Sequence, residues 1–156
     1  MGQTMEGYGT RHGYLAMFMN VYDIDGTLTV PGGAWPRPHS TKDVEYAKLI
    51  MDPCRIAQDK PTRLAKHIEG LPLAERHLRI LLTGRAEWSR HITEAWMAAH
   101  EITYNSLLMR PTADCREAFY IKFDYLRGLA LLDGSWYKWV INDKVSAMVY
   151  LIRNNW

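Results

Sequence analysis

The sequence predicts an α/β fold built on a mainly parallel sheet. Three observations carry this. Short apolar runs alternate with stretches of helical periodicity from residue 15 onward, in the order strand, helix, strand, helix, strand, helix, strand, helix. That alternation is the pattern of a parallel sheet with crossover helices. The first run, residues 15–24, is nearly continuous in apolar residues, as a strand buried on both faces is. The chain of 156 residues, 47% of them hydrophobic, suits one domain with a sizeable core.

Residues 1–13 are Gly-rich and weakly periodic, and are expected to form a loose leader before a single domain at 14–156. After the first strand, Thr27 to Trp35 reads as two extended pieces around Pro31-Gly32-Gly33, a small hairpin or flap. Residues 36–60 are broken by Pro36, Pro38 and Pro53 and read as an irregular insert, with one short helix near 44–51. A helix is expected from Pro61, capped by Asp59, with Leu64 and Ile68 on one face and Gly70 at its end.

The second strand is expected at 77–82. The helix at 85–100 carries Trp88, Ile92 and Trp96 at i, i+4 and i+8, a stripe that belongs in the core. A third strand follows at 102–109. The next helix is expected to start at Asp114, with Glu117 three residues on completing a capping box. A fourth strand at 137–141 and a helix marked by Val145, Met148, Val149 and Ile152 close the chain.

Bulk properties exclude several classes. A formal charge of +2 is too small for a nucleic-acid footprint spread over the whole surface. Two cysteines, Cys54 and Cys115, do not make a disulfide framework and fit free thiols in a cytoplasmic protein. No apolar run reaches the roughly 18 residues of a membrane span. The six histidines show no ligand spacing. Arg37 and Arg116 read as surface charge or helix pairing, and Trp35 as a residue that packs the flap down or stacks on a base.

Open α/β sheets bind ligands at the carboxyl ends of their strands. Here the first strand ends in Asp23-Ile24-Asp25-Gly26-Thr27, the second in Thr83-Gly84-Arg85, the third in Met109-Arg110-Pro111, and the fourth in Asn142-Asp143; Lys122 follows on a helix. Carboxylates at i and i+2 of extended backbone point to one side and repel unless a cation neutralises them. Hard carboxylate oxygens suit Mg²⁺, which also binds phosphate. Asp23 is then the nucleophile toward phosphorus and Asp25 the general acid and base. Gly26 permits a sharp turn after the pair. Thr83 can hold a phosphoryl oxygen, Lys122 can neutralise the charge, and Asp143 can complete a metal shell with Asp23 and the Asp25 carbonyl.

Asp23-Ile24-Asp25-Gly26-Thr27-Leu28-Thr29 resembles the first motif of the haloacid dehalogenase-like (HAD) phosphatases. Leu82-Thr83-Gly84-Arg85 is similar to their second motif, Lys122 to the third, and Asn142-Asp143 to the fourth. The resemblance covers residues 15–150 and implies a HAD-like Rossmannoid three-layer sandwich and a Mg²⁺-dependent phosphomonoesterase that forms an aspartyl-phosphate. The stretch Leu107 to Arg116, followed by Lys122, is similar to the 3′-phosphatase domain of bacteriophage polynucleotide kinases. That likeness gives Arg85 and Arg110, beside Thr83 and Gly84, the task of holding the substrate phosphate. Two positions depart from the pattern: Asn142 stands where an acidic residue is usual, and Ala118 where the kinase-linked group is acidic. No Gly-x-x-x-x-Gly-Lys-Ser/Thr loop is present, so the chain carries no kinase half of that type.

The insert at 36–60 is too short for a cap domain with its own core. A capless or minimally capped site, open at the strand ends, is expected to admit a chain end. The partner is therefore a phosphorylated substrate, with a nucleic-acid 3′-phosphate leading and a nucleotide or small metabolite as alternatives. A HAD-like domain that binds phosphate or nucleic acid without turnover is the remaining reading. No membrane partner is expected, and the oligomeric state is left open.

Overall fold

The computed structural model describes residues 17–32, 52–133 and 137–141. The expected leader, the second half of the flap with Trp35, the short helix near 44–51, Asn142, Asp143 and the last helix lie outside the described residues.

The described chain forms β1 (Met17–Tyr22), β2 (Thr29–Val30), α1 (Pro53–Gln58), β3 (Lys60–Pro61), α2 (Arg63–Ile68), β4 (His77–Ala86), a 3-10 turn (Glu87–Ser89), α3 (Arg90–Ala99), β5 (Ser106–Arg110), α4 (Ala118–Asp133) and β6 (Tyr137–Ile141). Four strands make one sheet in the order β5-β4-β1-β6. Every neighbouring pair in it is parallel. This is the α/β architecture expected from the alternation of elements.

The strands alternate their buried side chains between two apolar layers, as the period of two requires. Leu81, Leu107 and Met109 join Ala65 and Ile68 of α2 and Trp96 and Met97 of α3 on one side. Val21, Ile80 and Leu82 join Leu126 of α4 on the other. Helices thus cover both faces of the sheet, and α2, α3 and α4 are held by the core on which they pack.

Several boundaries differ from expectation for identifiable reasons. Pro53 does not break structure: it opens α1, where Asp52 accepts from the amides of Cys54 (2.8 Å) and Arg55 (3.1 Å). Proline suits that first position because its missing N–H has no helical partner there. The cap of α2 is Thr62, which accepts from the Ala65 amide at 3.2 Å, because the Asp59 carboxylate faces inward. Gly70, with φ of 68°, follows α2 as its stop. The described half of the flap, β2, pairs antiparallel with β3 at the end of the insert.

The second strand runs through the Thr-Gly-Arg motif to Ala86, so the helix behind it starts at Arg90. Trp88 therefore falls in the turn and is 47% exposed, whereas Trp96 is buried. The expected Trp stripe holds only at its C-terminal end. Asp114 does not cap α4. Its carboxylate accepts from the Arg116 amide and guanidinium, and the helix begins at Ala118. Cys54 and Cys115 are free and exposed. No helix among the described residues is long and apolar enough to cross a membrane.

Candidate active site

The loop after β1 is wound around one carbonyl. Ile24 O accepts from the amides of Thr27 (3.1 Å), Leu28 (2.9 Å) and Thr29 (3.0 Å), and the Gly26 amide donates to Thr29 O at 2.9 Å. Gly26 has φ of 80°, a conformation that costs glycine little and other residues more. Ile24 and Leu28 are fully buried and anchor the loop in the core. With Ile24 pointing inward, Asp23 and Asp25 are presented on the other side of the backbone. α2 holds the loop from outside: the Thr62 amide donates to Leu28 O at 3.0 Å and its hydroxyl to Thr27 O at 2.6 Å.

Lys122, on α4, closes the distance that the sequence leaves open. Its Nζ stands 2.6 Å from Asp23 Oδ1. The same oxygen accepts from the Ile24 amide at 2.9 Å. Oδ2 of Asp23 takes no hydrogen bond from the described residues. One carboxylate oxygen is thus fixed and the other left for chemistry. Burial pushes the Asp23 carboxyl above its ordinary range, and nearby Asp25 pushes the same way; Lys122 opposes both.

Asp25 is gripped by Arg85 at the end of β4. Arg85 Nε lies 3.0 Å from Asp25 Oδ2 and 3.2 Å from Oδ1, and Nη2 lies 2.7 Å from Oδ1. This side-on pairing fixes the plane of the carboxylate. Thr83 Oγ1 is 3.5 Å from Asp25 Oδ2 and accepts from the Arg85 amide at 3.1 Å. Asp23, Asp25, Thr83 and Arg85 are therefore brought together at the carboxyl ends of β1 and β4, with Lys122 reaching Asp23 from α4.

Arg85 is not placed as a substrate ligand. Its side chain has no exposure, and its remaining donors also turn inward: Nη2 to Asp59 Oδ2 at 3.0 Å and Nη1 to Thr93 Oγ1 at 3.3 Å. A phosphate would reach it only if Asp25 or Asp59 let go. Burial works to lower the Arg85 pKa, but Asp25 and Asp59 outweigh it and hold the group cationic.

Arg110 is half-buried beside Gly84. Nε donates to Gly84 O at 2.8 Å, and Nη1 donates to Asp114 O at 3.1 Å and to Arg116 O. Nη2 has no bond to the described residues and is its available edge. Gly84 itself is a packing requirement: a Cβ there would stand 2.8 Å from the Ala118 Cβ. The small pair Gly84 and Ala118 lets the start of α4 approach β4.

Sequence reasoning missed Arg55 and took Asp59 only for a helix cap. Both are buried, with Arg55 Nη1 3.9 Å from Asp25 Oδ1 and Nη2 3.7 Å from Asp59 Oδ1. Their i, i+4 spacing was the available signal. Burial raises the Asp59 carboxyl pKa against the pull of Arg55 and Arg85.

Among the described residues no three His, Cys, Asp or Glu side chains gather to hold a metal. Of the expected Mg²⁺ set, Asp23 and the Asp25 carbonyl are described and Asp143 is not. The donors present fit a hard cation: a carboxylate oxygen on the buried Asp23 that no described residue bonds, with a carbonyl two residues on. β6 pairs Ile141 with Val21, two residues short of Asp23. A cleft of about 530 Å³ lined by Leu71, Glu94, Thr103 and Tyr104 contains none of these residues.

Fold and site together define an open α/β domain with an aspartate–lysine and aspartate–arginine cluster at the strand ends. Solved structures resemble it, two of which follow. A chain of the Pnkp1/Rnl/Hen1 RNA repair complex is 23% identical, with a TM-score of 0.58, covering 99% of this chain and 44% of that one. A chain in a second structure of the Pnkp1/Rnl/Hen1 complex is 25% identical, with a TM-score of 0.58, covering 94% of this chain and 45% of that one. The chain thus spans less than half the length of these relatives. No family model and no curated protein matches it.

Proposed function

We propose that this domain is a Mg²⁺-dependent phosphomonoesterase of HAD type that removes a 3′-phosphate from a nucleic-acid end through an aspartyl-phosphate on Asp23. The carrying observation is the asymmetric state of Asp23: Lys122 and the Ile24 amide hold Oδ1, and no described residue bonds Oδ2. A carboxylate fixed at one oxygen is oriented for attack by the other. The likeness to a component of an RNA repair complex supports a role at nucleic-acid ends.

Asp23 Oδ2 attacks phosphorus, and the bond from phosphorus to the leaving alcohol oxygen breaks. Asp25 gives that oxygen a proton. Asp25 then takes a proton from water as the water attacks the aspartyl-phosphate, releasing inorganic phosphate and restoring the Asp23 carboxylate and the protonated Asp25 carboxyl. In this reading Thr83, with its hydroxyl and the backbone at Gly84, would hold phosphoryl oxygens, and Lys122 would balance charge on the Asp23–phosphoryl group. Arg110 Nη2 offers a further donor. Asp23, the Asp25 carbonyl and Asp143 would hold Mg²⁺, with Asn142 beside them. The ion, when bound, would neutralise the repulsion between carboxylate and phosphate. A capless site would leave room for a polynucleotide end.

The test compares catalytic efficiency on a 3′-phosphorylated oligonucleotide, nucleoside monophosphates and a panel of sugar phosphates, with and without Mg²⁺. Preference for the oligonucleotide, lost in Asp23→Asn, is the expected result. Preference for a sugar phosphate would remove the end-processing reading, and near-normal activity of Asp23→Asn would remove the covalent mechanism.

A further inference from the structure

Outside the residues that meet substrate, the most unusual feature is a buried set of four charges. Arg85 and Asp59 side chains have no exposure, Arg55 has 4%, and Asp25 has 11%. Buried charges are tolerated only when paired with good geometry, and an apolar replacement is often as stable. The four come from separate places: Asp25 from the loop after β1, Arg85 from β4, and Arg55 and Asp59 from α1 and the residue after it. Among the described residues, and with Asp25 ionised, they stand two against two in sign.

We propose that Asp59 is a positioning residue for the general acid and base Asp25, acting through Arg85. This inference rests on the phosphatase reading above. Arg85 Nη2 bridges the two carboxylates, 2.7 Å from Asp25 and 3.0 Å from Asp59. Asp59 thereby stands behind the guanidinium and Asp25 in front of it. Thr93, 3.3 Å from Nη1, fixes the third nitrogen and sets the tilt of the plane. The Asp59 backbone is fixed in turn, because its carbonyl accepts from Trp96 Nε1 at 2.9 Å. Arg85 therefore cannot swing out toward solvent, and its side-on grip holds the Asp25 carboxylate in one plane. Arg55, within 4 Å of both carboxylates, balances the second negative charge. Proton transfer to a leaving oxygen demands such a fixed carboxylate, since a misplacement of about 1 Å can cost roughly 100-fold.

Leaving-group dependence separates positioning from mere stability. The efficiency kcat/KM covers the step that expels the alcohol, whose need for a proton grows as the alcohol becomes a poorer leaving group. A series of aryl phosphates, from nitro-substituted to unsubstituted phenol, and a 3′-phosphorylated oligonucleotide are assayed with Mg²⁺ on wild type, Asp59→Asn, Asp25→Asn and the double variant. Asp59→Asn is expected to lose about 10-fold or more on the oligonucleotide and little on the nitrophenyl ester, a fraction of the 10² to 10⁴ that a full general acid is worth. The double variant should be no worse than Asp25→Asn alone. An equal loss across the series, or none, overturns the positioning role while leaving the phosphatase reading intact. If Asp59→Asn fails to fold, Thr93→Val decides in its place: a smaller loss graded in the same direction supports the proposal, and a flat response overturns it. Absence of turnover by the wild-type protein on every ester overturns the phosphatase reading and the positioning role with it.

Discussion

Gly84→Ala is the most discriminating single perturbation of this site, because its effect can be worked from a distance. The new methyl carbon would lie 2.8 Å from the Ala118 Cβ, about 1 Å inside ordinary carbon–carbon contact. Neither group can rotate away, so β4 and the start of α4 must separate. Overpacking of this kind costs about 1–3 kcal/mol. At roughly 2–4 °C per kcal/mol for a chain of this size, Tm should fall by about 2–12 °C. Ala118 opens α4 and Lys122 lies one turn further along it, with its Nζ 2.6 Å from Asp23. The same separation therefore draws the lysine off the nucleophile. A displacement approaching 1 Å predicts a loss of roughly 10- to 100-fold in kcat. The structure also specifies the rescue. With Ala118→Gly the nearest atoms to the new methyl would be Arg110 Nη2 at 3.7 Å and the Ala118 Cα at 3.8 Å, both ordinary contacts. The double variant should recover most of the activity and stability, less a cost of under about 1 kcal/mol for glycine at a helix start. Steady-state kinetics and thermal melting of the two single variants and the double complete the cycle. Additive losses, with no recovery in the double variant, would refute the claim that this contact sets the position of Lys122.

Arg110→Ala removes Nη2, the one guanidinium nitrogen unclaimed by the described residues, and should raise KM for a 3′-phosphorylated oligonucleotide far more than for an aryl phosphate; equal changes in both would leave Arg110 a purely structural clamp. EDTA should abolish turnover and Mg²⁺ restore it, with Asp143→Ala shifting the Mg²⁺ requirement upward in a titration of rate against metal. Glu87 offers a pH test away from the site: its bonds to Arg90 hold its carboxyl below the ordinary range. A depressed carboxyl contributes stability that is present above the ordinary glutamate pKa and lost as pH falls through the folded value. Glu87→Gln should thus lower stability by about 0.5 kcal/mol at neutral pH, as exposed pairs do, and the difference from wild type should vanish in acid melts.

The sheet was legible because periodicity and burial agree. The mainly apolar run before Asp23 and the run 137–141 became parallel neighbours, as the alternation of strands and helices requires. Gly26 and Gly70 were also readable, because a left-handed turn favours one residue type and both occupy one. The helix starts at Asp59 and Asp114 were misread. A short carboxylate before a helical stretch is the ordinary signal for a cap, and nothing local distinguishes a cap from an ion-pair partner. Arg85 claims the first carboxylate from 26 residues away, and Arg116 the second from within a tight turn.

Local chemistry determined which residue types stand at the strand ends: the paired aspartates, the Thr-Gly-Arg run, the lysine on a following helix. Tertiary structure alone decided how they are shared. Lys122 meets one oxygen of Asp23, and no described residue bonds the other. Arg85 turns inward, from the substrate side to a buried bridge between Asp25 and Asp59. The reason is physical. Residue type and spacing limit what a side chain can bond, but the choice among partners is made by distances across elements far apart in sequence. A guanidinium removed from water takes the buried carboxylates that packing of α1, β4 and α3 places around it.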